Sequence, residues 1–132
     1  MSVDESLTPV GDEEWLSRYI LQKSHVRHDK TLRPDPFIPH PYADLSVTRH
    51  LGLGDKELWG IGEDVAGQIG KSLYGRAENQ VKTFERHHLA VVSAPVEGNP
   101  NHANVTRWPA DKPSQKIIAM EIAAESSYVE RT

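Results

Sequence analysis

The sequence predicts an α+β fold: a small mixed or antiparallel sheet of about five strands, packed by two main helices and crossed by a proline-rich strap. Three observations carry this. Short stretches of β-compatible or alternating residues recur between turn signals, at 15–21, 45–49, 72–79, 89–93 and 102–108. Two segments, 56–69 and 114–126, instead set apolar residues at helical spacing. Prolines at 34, 36, 39 and 41 keep a helix or a central strand from running between the first two strands.

Taken in order, residues 1–12 are acidic and aperiodic and are expected to form a disordered tail, with 13–132 a single domain. Trp15 to Leu21 reads as a strand, with a short helix as the competing assignment, and the polar, basic Gln22 to Thr31 as surface loop. Each proline of the strap pushes the residue before it into extended geometry, so the strap is stiff. Phe37, Ile38 and Tyr42 on it are expected to offer an exposed contact surface. Leu45 to Arg49 then alternates apolar with polar residues as a half-buried strand does.

A Gly52-Leu53-Gly54 turn leads to Asp55, the expected N-cap of a helix whose Leu58, Ile61, Val65 and Ile69 share a face and which Gly70 ends. Gly60, Gly62 and Gly67 each weaken that helix by about 1 kcal/mol relative to alanine, so it depends on tertiary packing. Ser72 to Asn79 reads as a short strand, Val81 to Arg86 as one or two helical turns, and Leu89 to Ser93 as a buried strand. Gly98-Asn99-Pro100-Asn101 is a turn, and a strand from His102 to Trp108 follows it. Pro113 suits the first turn of the last helix, whose core face would hold Ile117, Ile118, Met120, Ala123 and Ala124.

Composition removes several function classes. With no cysteine there is no disulfide framework, thiolate metal site or cysteine nucleophile, which suits a reducing cytoplasm. No apolar run reaches the length of a membrane span, and the N-terminus lacks a secretory pattern. The net charge of −4 argues against a broad grip on nucleic acid, and the 56–69 helix, with Lys56 its one basic residue, makes DNA binding a poor fit. Charge is nonetheless uneven: residues 1–14 hold five carboxylates and no base, while 18–49 hold six basic residues against three acidic ones. A local basic face is therefore expected.

Seven histidines raise the question of a metal, but His25, His28, adjacent His87 and His88, and His102 lack ligand spacing, and no metal or other cofactor is expected. Gly67-Gln-Ile-Gly70-Lys71-Ser72 imitates the end of a phosphate loop, yet Val65 stands where its first glycine belongs. No nucleophile elbow occurs.

The chemically interesting set lies on strands. His102, Arg49 and Arg18 could act together as a proton-transferring group with two phosphate-binding guanidiniums, provided Arg49 and His102 open into one hollow. Ser46, Thr48, Arg76, Asn99 and Asn104 would bind the ligand beside them. The structural alternative is that the arginines pair with carboxylates and His102 caps the turn it follows.

The strand Leu45-Ser46-Val47-Thr48-Arg49 and the turn Asn99-Pro100-Asn101-His102-Ala103 together resemble a group of small bacterial proteins of unassigned function. The resemblance spans roughly the domain after the tail and carries no activity or catalytic residue over. Two functions are expected. One is a non-catalytic module that binds a protein partner in a multi-protein system through Phe37 and Tyr42. The other is a metal-independent enzyme acting on RNA or a nucleotide, by phosphodiester cleavage or ADP-ribosyl transfer, through His102 and the arginines.

Overall fold

A computed structural model describes residues 9–132; the first eight positions of the expected tail lie outside the described residues. Six strands form one sheet: β1 (Trp15–Ile20), β2 (Leu45–Arg49), β3 (Gly75–Gln80), β4 (Ala90–Ser93), β5 (His102–Thr106) and β6 (Ser127–Glu130). Their order is β4-β5-β2-β1-β3-β6, and every neighbouring pair is antiparallel. Helix α1 (Asp55–Gln68) connects β2 to β3, the short α2 (Val81–Glu85) follows β3, and α3 (Lys112–Glu125) carries the chain from β5 to the far edge.

The two long helices sit on opposite faces. Alternate residues Leu16 and Ile20, Leu45 and Val47, Ala77, Ala103 and Val105 join Ala119, Ile122 and Ala123 of α3 and Val81 and Phe84 of α2 in the main core. On the other face Tyr19, Ala66 and Leu73 form a smaller cluster with Trp59, Ile61 and Val65 around α1. Gly62 is what lets α1 approach: a Cβ there would lie 2.7 Å from the Tyr19 ring and 2.9 Å from Leu73. The central strand β1 is thus buried from both sides.

Several expectations change. The strap folds into a 3-10 turn at Asp35–Phe37, with Pro36 near its start where proline costs no hydrogen bond. Phe37 is fully buried in the main core, and of the expected contact residues Tyr42 alone stands clear, 77% exposed. Burial of a phenylalanine stabilises by about 1.5–3 kcal/mol, which outweighs leaving it on a strap.

Gly54, not Asp55, is the N-cap of α1, which leaves the Asp55 carboxylate free to bind Arg76. In α3 the Asp111 carboxylate caps the Ser114 N–H at 2.9 Å. The inward stripe of α3 is Gln115, Ala119, Ile122 and Ala123, while Ile117 and Met120 are 62% and 54% exposed. Both alanines in that stripe join the main core, which sets the helix's rotation. Strand β4 is an edge, so only Leu89 before it is buried.

Strand β6 is an addition to the expected set, four residues too short and too polar to announce themselves. Residues 9–12, expected in the tail, belong to the fold: Val10 packs on the core and Lys82 N–H donates to the Asp12 carbonyl at 2.8 Å. Among the described residues no helix is long and apolar enough to cross a membrane.

Candidate functional site

Register decides which candidate residues meet. Thr48 is paired with His102 and Ser46 with Asn104, so these four share the face that α1 partly covers. Arg76 lies on that face as well, opposite Tyr19. Arg49, one residue beyond Thr48, must point the other way, and it pairs in register with core-facing Leu16. The expected hollow shared by Arg49 and His102 therefore does not form.

Arg49 is 0% exposed and clasps Glu14, with Nε and Nη2 each donating to a different carboxylate oxygen at 2.8 Å. Burial alone would push the Glu14 carboxyl up, but the Arg49 hydrogen bonds, the Gly11 N–H and the Arg49 charge hold it below its ordinary value. Arg18 is engaged too: Nε donates to the Pro36 carbonyl at 2.8 Å and Nη1 to the Ser46 carbonyl at 3.0 Å. Desolvation brings its pKa down to about 10, so it stays cationic at neutral pH while pinning the strap to the sheet.

The turn before β5 turns its polar groups on the backbone. His102 Nδ1 lies 2.8 Å from the Ala94 carbonyl, which can only accept, so that nitrogen carries the proton. Asn99 Nδ2 donates to Thr48 Oγ1 at 3.0 Å, and its oxygen accepts the Asn101 N–H at 3.1 Å. Asn101 Nδ2 in turn donates to the Arg49 carbonyl at 3.0 Å. These bonds fasten the turn to β2 and account for the amide and imidazole side chains at the start of an apolar strand. Ser46 and Asn104 remain accessible beside them.

A second polar group, partly buried, lies beside α1. Ser17 Oγ lies 2.8 Å from His50 Nε2, and the same nitrogen is 3.2 Å from Glu78. Arg76 reaches Glu78 at 3.4 Å and Asp55 at 2.6 Å, with its guanidinium 4.4 Å from the centre of the Trp59 ring. The residue types are those of a serine hydrolase, but the geometry is different. A relay needs the hydroxyl and the acid on opposite ring nitrogens, and Ser17 is fully buried. Burial holds the His50 pKa below its usual value, with Arg76 adding to that effect against Glu78 and Asp55.

The open space lies elsewhere. A cleft of about 1220 Å³ separates the 22–35 segment from the ends of β3 and β6. That segment, expected to be loop, is a small hairpin: Val26 bridges Leu32, Arg27 N–H donates to Thr31 O at 2.8 Å, and Arg33 N–H to His25 O at 2.9 Å. Leu32 is buried and Val26 packs on the core, so alternation turns His25, Arg27 and Arg33 outward. Tyr74, Tyr128 and Glu130 form the facing wall, and Lys30 bridges to Glu130 at 2.9 Å.

Three carboxylates line the cleft, two of which are held by neighbours. Asp29 accepts from the Thr31 N–H and hydroxyl and Glu130 pairs with Lys30, while Asp35 acts electrostatically on His25. Lys23 and Arg33 have no ion pair or side-chain hydrogen bond among the described residues. His25 is partly buried, and that desolvation lowers its pKa; Arg18, Lys71 and Arg33 lower it further while Asp35 opposes them.

None of these cleft residues is in the strand-borne set picked out from the sequence. The excess of basic residues between 18 and 49 is the signal that points to Lys23 and Arg33, whereas nothing in the sequence marks Tyr74 or Tyr128. Among the described residues no three His, Cys, Asp or Glu side chains are grouped so as to hold a metal ion. Set against protein-family models, curated proteins and solved structures, the chain matches none of them.

Proposed function

We propose that the chain is a non-catalytic binding module whose ligand bears phosphate, as a nucleotide or RNA does, and sits in the cleft between the 22–33 hairpin and the end of β6. The observation that carries this is the pair of unengaged cations, Lys23 and Arg33, lining an open cleft of about 1220 Å³. A guanidinium binds phosphate oxygens through two parallel N–H donors and an ammonium adds a point charge. Arg18 and Lys71 add positive potential around His25. The volume is somewhat above that of ordinary small-molecule pockets, about 300–1,000 Å³, and suits a ligand that enters and leaves through an open side.

A binding role also fits the fate of the groups that could have done chemistry. Arg18 and Arg49 are engaged by the fold, the Ser17 hydroxyl is buried, and His102 fastens a turn. A protein partner on the strap would have Tyr42 without Phe37. The proposal includes a bacterial cytoplasm as the setting, which a chain without cysteine suits.

The test is isothermal titration of the protein with a single-stranded RNA hexamer at low and moderate salt. Lys23→Ala/Arg33→Ala is expected to weaken binding about ten-fold or more and to flatten the salt dependence, because two phosphate contacts disappear. A wild-type protein that binds neither the hexamer nor inorganic tripolyphosphate would end the proposal.

A further inference from the structure

We infer that Tyr128 is a stacking platform for an unpaired nucleobase, so that the cleft takes a nucleotide, free or in a single-stranded RNA, in preference to a bare phosphate or a duplex. This rests on the cleft being the phosphate site proposed above.

The tyrosine is fixed before any ligand arrives. Its hydroxyl donates to the Tyr74 carbonyl at 2.9 Å. Its ring end rests on Gly75, where an added Cβ would come within 2.5 Å of it, so a glycine is required for the ring to lie there. Burial and the Glu130 charge raise the phenol pKa against the opposing influence of Lys30.

Tyr128 packs in part against the main core and keeps part of its surface open. It borders both the main cleft and a smaller groove of about 390 Å³ whose wall includes Met120 and Ala123. Tyr74, half-exposed, stands beside it. An aromatic held in place loses little freedom when a base settles on it. Stacking of this kind serves any base, because each presents a π-face, but it requires a base that is not sealed inside a helix. With Lys23 and Arg33 on the opposite wall, base and phosphate are met by different sides of one cleft.

The experiment uses an RNA hexamer carrying 2-aminopurine, whose fluorescence falls when it stacks, together with a hexamer that is abasic at every position, the blunt duplex of the first, and inorganic tripolyphosphate. The hexamer is expected to be quenched on binding and to bind at least about five-fold more tightly than the abasic form or the duplex. Tyr128→Leu should remove the quenching and lower hexamer affinity about five- to one-hundred-fold while leaving tripolyphosphate binding unchanged. Tyr128→Phe, which keeps the ring, should retain the quenching. If the abasic hexamer binds as well as the intact one while Lys23→Ala/Arg33→Ala still weakens binding about ten-fold or more, stacking is excluded and the cationic cleft stands. If wild-type protein binds none of the four, the phosphate site itself is excluded. The intact-versus-abasic contrast needs only wild-type protein, so the inference stays open to refutation even if Tyr128→Leu fails to fold.

Discussion

Two polar regions of this molecule, the amide-rich Asn99–Asn104 turn and the basic Lys23–Arg33 hairpin, differ in what their side chains do. In the turn, Asn99, Asn101 and His102 are each hydrogen-bonded to Thr48 or to a backbone carbonyl. In the hairpin, backbone bonds hold the shape, the Leu32 carbonyl and Glu130 engage Arg27 and Lys30, and Lys23 and Arg33 line the open cleft with no side-chain partner among the described residues. A side chain already serving the fold is a costly one to lend to a ligand, and one that serves nothing is available. The lesson is that hydrogen-bond engagement, more than residue type, separates scaffold from site in this chain.

The contrast can be broken at several points. The largest effect is expected from Arg49→Ala, which leaves Glu14 without its cation and opens a buried space: about 3–5 kcal/mol of stability should be lost on urea denaturation. Ligand affinity of the folded fraction should stay unchanged. Asn99→Ala comes next, at about 1–3 kcal/mol, since the buried Thr48 hydroxyl loses its donor and the turn its tie to β2.

A smaller effect concerns pH. His50 and His25 both have folded pKa values below the unfolded one of about 6.5, so the unfolded chain takes up protons first. Their stabilising contribution is complete above that value and is lost as pH falls through it toward the folded values. Denaturation midpoints measured between pH 7.5 and pH 5 should therefore fall, and His50→Asn should flatten the fall. The smallest stability effect belongs to Lys23→Ala/Arg33→Ala, within about 0.5 kcal/mol, although it is the variant expected to weaken binding about ten-fold or more. A large loss of stability there would erase the distinction between the two regions.

Alternation and turn chemistry made most of the fold legible. Leu45 to Arg49 and the Gly98–Asn101 turn could be read directly because each is governed by local rules. Phe37 could not, since a proline-rich run says that the backbone is stiff but not whether a hydrophobic core lies beneath it. The rotation of α3 was hidden for a related reason. Its apolar residues cover more than one face, and the partner surface chooses between them. The candidate site was least legible. Period two predicts that Thr48 and Arg49 face apart, but which one shares a face with His102 depends on pairing between strands more than fifty residues apart. Tyr128 belongs to a strand that forms only through its partner β3.

The bridge from Lys30 to Glu130 joins positions one hundred residues apart, and it marks where the cleft closes. Assembling the cleft therefore awaits one of the longest-range meetings in the chain, and loop-closure entropy makes such meetings late ones. The final strand has one neighbour in the sheet, so its detachment is a natural first step of local opening. A partly opened molecule would keep its main core and lose the cleft proposed to take phosphate, so binding in the proposed assay would gauge whether the last strand is docked.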